Sequence, residues 1–278
     1  LLNNYRTLLI INKNKKNKKR TNKIIKLICK NLYRYFNEDG TSTEGSSSYS
    51  ILKTIWMNDI YEEIKKERIN TKYAKQFNEI YFLVIRACKL IVKCTSKNAF
   101  AIGDITPDES SKDIYRKMKK ILDSNEFIIC PKLLNDGSIL YSNYGNSYIT
   151  LSKIKNRSYH PVRDHSHLDI SSITWVNNDK PIIVDPGRYS YDKRYEFIKQ
   201  KDFHGHNLPI IKGKRNQQYI YLMNRPMTKS LALRKDSIEI DSSNKIKYFN
   251  SSQSIIHERE INLSMYETII IIDKFTCK

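Results

Sequence analysis

No C-x-x-C pair occurs in the 278 residues, and the five cysteines, Cys29, Cys88, Cys94, Cys130 and Cys277, are odd in number and irregular in spacing. That pattern excludes a disulfide framework and a zinc knuckle, and leaves isolated buried or surface thiols as the expectation. No stretch is long and apolar enough to span a bilayer: the most apolar window, 80–92, is interrupted by Arg86 and Lys89. There is no G-x-S-x-G, no P-loop and no G-x-G-x-x-G, so hydrolase-elbow and nucleotide sites have no foothold. The chain opens LLNNYRTLLI, with neither an initiator Met nor a signal-peptide layout, and on that ground reads as a fragment.

Acidic residues are few beside basic ones, 29 against 49, for a net charge of +20. A surface of that sign attracts polyanions such as nucleic acids, anionic lipids or acidic polysaccharides. The plainer account is compositional drift, since Lys, Asn and Ile are abundant together. The run KNKKNKKRTNKIIK at 13–26 carries no interleaved aromatics and no DNA-binding motif, so its lysines read as a solvated helix face and no nucleic-acid partner is expected.

Hydrophobic residues make up 40% of the chain, which is globular. Ile24, Ile25, Ile28 and Leu32 fall at helical spacing. After a turn-rich loop at 37–50, Ile51, Leu52, Ile55, Trp56, Ile60 and Ile64 form a second helical stripe, and 73–93 a third, largely buried helix. Ser110 with Asp113 makes a capping box before a helix carrying Ile114, Met118, Ile121 and Leu122. Beyond Asn125 the period shortens. FIIC, SILYSNY, YITLSKI, ISSITWV, PIIVD, LPIIKG, QQYIYLM, SLALR, SIEID, KIKYF, IIHEREINL and ETIIIID read as strands, with turns at Asp136-Gly137, Asn177-Asn178 and 241–244. Helices followed by strands predict two domains, 1–124 and 125–278, the second a β-sandwich or barrel.

The segment 163–207 concentrates chemistry. It holds four of the six histidines, in the pairs His165/His167 and His204/His206, together with Asp164, Asp169 and Asp185. If 165–169 is extended, His165, His167 and Asp169 share a face. Two imidazoles and the Asp185 carboxylate make a donor set suited to zinc or a similar divalent ion. Spacing alone leaves open which histidine of each pair ligates, and surface histidines beside an Asp-Pro turn remain the plain alternative. Histidine and tyrosine are both competent proton carriers. Tyr49, in the loop with Glu44, is a candidate, although most such tyrosines only pack. No facing carboxylate pair of the glycosidase kind stands out.

Several stretches, in order, resemble the heparinase II/III-like polysaccharide lyases, a family that includes alginate lyases of related fold. NEDGTSTEGSSSY is similar to its DG…EGS..Y stretch, and FAIGD to its iGD loop. HSHLDISSITWVNNDKPIIVDPGRYSY resembles the H-x-H-x-D…DPG.Y.Y block, the most specific of the set. FHGHN is similar to the later HN element, and HEREINLSMYETIIIIDKF to the R-x-hydrophobic…vvD strands beyond it, with Arg259 and Asp273 at the R and D positions. The resemblance implies an incomplete (α/α) toroid joined to an antiparallel β-sandwich, with β-elimination on a uronic-acid polysaccharide in the cleft between them. By position it implies Tyr49 as the acid, with the base role also open to it, and His165 as the catalytic histidine. It implies His167, Asp185 and His206 as ligands of a structural divalent metal, zinc by preference, and Tyr189, Tyr191 and Arg194 as sugar contacts. The implied partner is an acidic polysaccharide, and the implied location is the periplasm, the cell envelope or the outside of the cell.

The pattern departs from the family in places. The family's carboxylate-neutralising Asn or His precedes the tyrosine, yet every histidine here lies at or beyond His160, and Leu208 stands where Thr is common. These departures fit an internal fragment of a lyase. They also keep two rivals in play: a catalytically inactive acidic-glycan-binding module of the same fold and, more remotely, a basic nucleic-acid-binding protein.

Overall fold

The chain is described by a computed structural model over residues 2–13, 18–43, 45–95, 111–135, 139–152, 171–187, 206–208, 235–240, 245–251, 255–264 and 268–277. Among the described residues five α-helices come first: α1 (Leu2–Lys13), α2 (Lys18–Asn31), α3 (Ser47–Lys66), α4 (Lys72–Thr95) and α5 (Ser111–Asp123). The apolar stripes explain them. Ile24, Ile25 and Ile28 of α2, Ile51, Ile55, Ile60 and Ile64 of α3, and Ile114, Met118 and Ile121 of α5 all go into one core with the inner face of α4. Tyr61 and Tyr81 stack at 4.2 Å between α3 and α4, and the Tyr81 hydroxyl donates to Asn58 Oδ1 at 2.7 Å.

Among the described residues nine strands follow, in two antiparallel sheets. β1 (Leu133–Asn135), β2 (Ile139–Tyr144), β3 (Ser147–Ser152), β4 (Ile173–Asn177) and β5 (Lys180–Ile183) pair in chain order. β6 (Lys235–Ile240), β7 (Lys245–Ser251), β8 (Ile255–Ser264) and β9 (Thr268–Cys277) do the same in the second sheet. The first sheet is covered on both sides. The row Tyr141–Thr150–Thr174 shares one face, and there Thr174 Oγ1 lies 3.5 Å from the Cys94 carbonyl of α4. The alternate row Leu140–Leu151–Ile173 joins Ile149 and Trp175 in a cluster with Ile246, Tyr248, Ile261 and Leu263 of the second sheet. Double coverage is why β4 is buried at all five positions and shows no alternation of polarity.

Three local expectations change. FIIC is a turn after α5 rather than a strand, with Phe127 91% and Ile129 82% exposed; the first strand is Leu133–Asn135. The β4–β5 turn falls one residue later than expected, at Asn178-Asp179, whose φ values of 48° and 60° are those of a type I′ hairpin loop. Helix α3 begins at Ser47, so Tyr49 is helical and the loop before it is shorter than expected. All five cysteines are free thiols. Among the described residues no helix is long and apolar enough to cross a membrane. The FAIGD loop, Ser110, the run LPIIKG after Leu208, and the runs QQYIYLM and SLALR lie outside the described residues.

Candidate active site

Tyr49 is delivered by a tightly bonded loop. Phe36 and Ser42 form an isolated antiparallel bridge, and Asp39 Oδ1 accepts from both the N–H (3.0 Å) and the hydroxyl (2.6 Å) of Thr41. Ser46 then turns extended, with φ −140° and ψ 130°, and its Oγ accepts the Tyr49 N–H at 3.3 Å, an N-cap that starts α3. That cap explains why a serine-rich run that looks like loop is partly helix. One turn on and on the same side of α3, Lys53 is buried; its Nζ donates to Ser42 Oγ at 3.2 Å and lies 5.3 Å from the Tyr35 ring centroid.

On the strand side, the structure joins two of the implied ligands. The Nδ1 of His206 lies 2.8 Å from Oδ2 of Asp185, and both side chains are almost wholly buried. The other Asp185 oxygen, Oδ1, accepts the Gly187 N–H at 2.8 Å, a contact made possible by the Asp-Pro-Gly turn, where Gly187 has φ 61°. Asn207, next to His206, uses its side-chain amide as a surrogate strand: Oδ1 accepts the Ile173 N–H at 2.8 Å and Nδ2 donates to the Ile173 carbonyl at 2.7 Å. The 206–208 segment is thereby fixed to the start of β4.

Behind this segment lies a charged network in the second sheet. Arg259 of β8 forks onto Asp273 of β9, with Nε 2.7 Å from Oδ1 and Nη2 2.9 Å from Oδ2. Its Nη1 donates to the carbonyls of Ser171 and of Asn207, the latter at 3.0 Å. His257 Nε2 lies 2.8 Å from Asp273 Oδ1, and its ring stacks on Phe275 at 4.8 Å. The motif resemblance gave these residues no role. A readable signal exists all the same: His257, Arg259, Ile261 and Leu263 alternate along β8 and are all buried, so a histidine and an arginine stand in phase with the apolar face.

This network makes stability acid-sensitive. Burial pushes the His257 pKa below its ordinary value, only partly offset by the hydrogen bond to Asp273. Burial pushes the Asp273 carboxyl up, but its hydrogen bonds to Arg259 and His257 outweigh that and hold it below the ordinary value. A depressed histidine protonates more readily in the unfolded chain, so stability is lost as pH falls through about 6.5. A depressed carboxyl adds stability above about pH 4 that is lost as pH falls through its lower folded value. The melting temperature, followed by circular dichroism, should therefore drop in two stages on acidification, and His257→Asn should weaken the first.

Of the implied site residues, Tyr49, Asp185 and His206 are described, and the structure brings Asp185 and His206 together. His165, His167, Tyr189, Tyr191 and Arg194 lie outside the described residues. Among the described residues no cluster of three or more metal-ligating side chains forms, but the donors that are described suit a divalent ion: an imidazole nitrogen and a carboxylate oxygen converge in a water-poor setting. A separate cavity of about 500 Å³ lies between α4, α5 and β3, at the Asp179 end of the sheet. Its lysines are already engaged: Lys93 with Asp179, Lys119 with Asp123, and Lys89 with the carbonyls of Asn125 and Ile128.

No family model matches the sequence, and no curated protein does. Solved structures do match. A heparinase III aligns over 92% of this chain with a TM-score of 0.61 and 13% identity. The chain has the fold of heparinase III. A second heparinase III aligns over 92% with a TM-score of 0.58 and 14% identity, and the heparan sulfate lyase of Pedobacter heparinus over 93% with 0.55 and 13%. Because the heparinase III likeness takes in 92% of the chain, it extends over both the helices and the antiparallel sheets. The chain spans 41–43% of the length of these lyases. Identity this low makes the likeness one of fold.

Proposed function

We propose that this chain is part of a polysaccharide lyase that cleaves uronic-acid-containing glycans by β-elimination. One observation carries the proposal: the heparinase III fold over 92% of the chain. The motif order from 37 to 275 and the paired Asp185 and His206 support it. On this reading, 1–124 is the last part of an (α/α) toroid, 125–278 is a β-sandwich, and the substrate lies between them. The net charge of +20 suits an acidic glycan. Glycans of this kind lie outside the cytoplasm, so the proposal includes a periplasmic, cell-envelope or secreted location.

In the elimination, the proton on C5 of the uronate leaves, its electron pair forms the C4–C5 double bond, and the C4–O4 bond breaks as O4 is protonated. A base takes the C5 proton, a role open to the His165 imidazole and to Tyr49, and Tyr49 supplies the proton to O4. Negative charge develops beside the uronate carboxylate and needs nearby cations or hydrogen-bond donors. Tyr189, Tyr191 and Arg194 are proposed to contact the sugars. His167, Asp185 and His206 would hold a divalent ion, zinc by its preference for this donor set, whose contribution there is to stiffen the strand side of the cleft. Without an ion, Asp185 and His206 bond each other through the Nδ1 contact; a bound ion would take the place of the shared proton.

The test incubates the full-length polypeptide carrying this sequence with heparan sulfate and with alginate, following the absorbance of the unsaturated uronate product. Growth of that signal on either glycan is expected. Retention on an immobilised glycan with no product would select the inactive binding module instead. Neither product nor retention would remove both.

A further inference from the structure

We infer that Arg259, locked by Asp273, is a positioning residue that ties the His206-bearing segment to the backbone at the start of β4; this rests on the lyase reading of Asp185 and His206. One guanidinium nitrogen, Nη1, donates to the carbonyls of Ser171 and Asn207. Ser171 follows His167 by four residues, and Asn207 adjoins His206. Those two points are 36 residues apart in sequence and belong to no common strand pair. The other two nitrogens are committed to Asp273, so the planar fork can neither rotate nor translate without breaking a charge-assisted pair.

Ser171 shows what the clamp holds. Its φ of 71° is left-handed, a conformation that costs a non-glycine residue free energy and persists only where surrounding bonds enforce it. Its N–H donates to the Ser152 carbonyl at 2.7 Å, and its carbonyl is taken by Arg259. Ser171 therefore leads into β4 in a fixed direction. Asn207, whose side chain brackets Ile173 two residues later, is fixed by the same guanidinium through its own carbonyl. Arg259 acts through the backbone carbonyls of Ser171 and Asn207. Lysine cannot replace it, because one ammonium cannot serve a bidentate carboxylate and two carbonyls at once.

The test labels histidine with ¹⁵N in the full-length polypeptide, freed of divalent ions by chelation for the spectra, and reads the ring proton on His206 Nδ1, assigned by its disappearance in His206→Gln. In the unsubstituted protein a carboxylate-bonded, low-field proton is expected. In Arg259→Lys that signal should move to higher field or vanish while circular dichroism and cooperative melting persist, and kcat should fall about 10–100-fold with KM little changed. Asp273→Asn keeps the guanidinium but loosens its hold and should give an intermediate shift; it also serves if Arg259→Lys fails to fold. An unmoved His206 signal with undiminished kcat in either folded variant would overturn the clamp. A protein that yields no unsaturated product, yet whose His206 signal still depends on Arg259, would sink the lyase reading and leave the clamp standing.

Discussion

Tyr49→Phe is expected to cut formation of unsaturated product by about 10²–10⁴-fold while leaving the melting temperature almost unchanged. The two halves of that expectation have separate physical grounds. The substitution removes one hydroxyl, the atom proposed to protonate the departing O4. It keeps the aromatic ring, and tyrosine and phenylalanine have nearly equal helix propensity. The N-cap of α3 survives, because Ser46 Oγ bonds the backbone N–H of residue 49 and not its side chain. The position itself favours the chemistry. Tyr49 sits in the first turn of a 20-residue helix, where the positive end of the macrodipole stabilises negative charge, with buried Lys53 one turn further on. Product formation at the unsubstituted rate in Tyr49→Phe would move the acid role to another residue.

Gly40→Ala is the substitution expected to cost most in stability, about 3–5 kcal/mol, from strain plus steric clash. Gly40 has φ 86°, and a Cβ there would lie 2.3 Å from the Leu83 carbonyl oxygen, 2.4 Å from its carbon and 2.7 Å from the Val84 nitrogen. All three are backbone atoms in the middle of α4, which cannot rotate away as a side-chain tip can. The loop would have to lift, taking with it the Ser42 bond to Lys53 and the Ser46 cap that places Tyr49. A fall in melting temperature of about 6 °C or more is expected. Gly145→Ala is the control. Its φ of 57° carries similar strain, but nothing lies within 4 Å of the added carbon, so a cost of only about 1–2 kcal/mol is expected. Equal melting temperatures for the two variants would mean that the loop does not seat on α4 as described.

Periodicity made most elements legible. Ile24, Ile25 and Ile28 announce α2, Ile114, Met118 and Ile121 announce α5, and both stripes are buried. Short apolar runs such as KIKYF and IIHEREINL announce β7 and β8. What failed was local apolar content with no local partner. FIIC has the composition of a strand, but nothing covers Phe127 or Ile129, and that depends on tertiary contact rather than on sequence. The start of α3 was hidden because serine favours both loops and N-caps, and only the extended Ser46 backbone decides between them.

The site was legible to a different degree. Asp185 and His206, 21 residues apart, were linked by motif resemblance, since spacing alone left the choice between His204 and His206 open. Arg259 and Asp273 were unassigned because their function is relational. Each is an ordinary strand residue until the register of β8 on β9 sets Arg259 opposite Asp273 and the 206–208 segment arrives from elsewhere.

The central claim is that this fold serves elimination, and the most direct measurement is the mass of the cut ends. Heparan sulfate would be digested by the full-length polypeptide in ¹⁸O-enriched water and the oligosaccharides weighed. Elimination adds no water across the broken bond, so the account predicts new non-reducing ends that are unsaturated, one water lighter than hydrolysis would leave, and fragments without solvent ¹⁸O at the cut. Saturated ends with one ¹⁸O incorporated for each bond cleaved would contradict it.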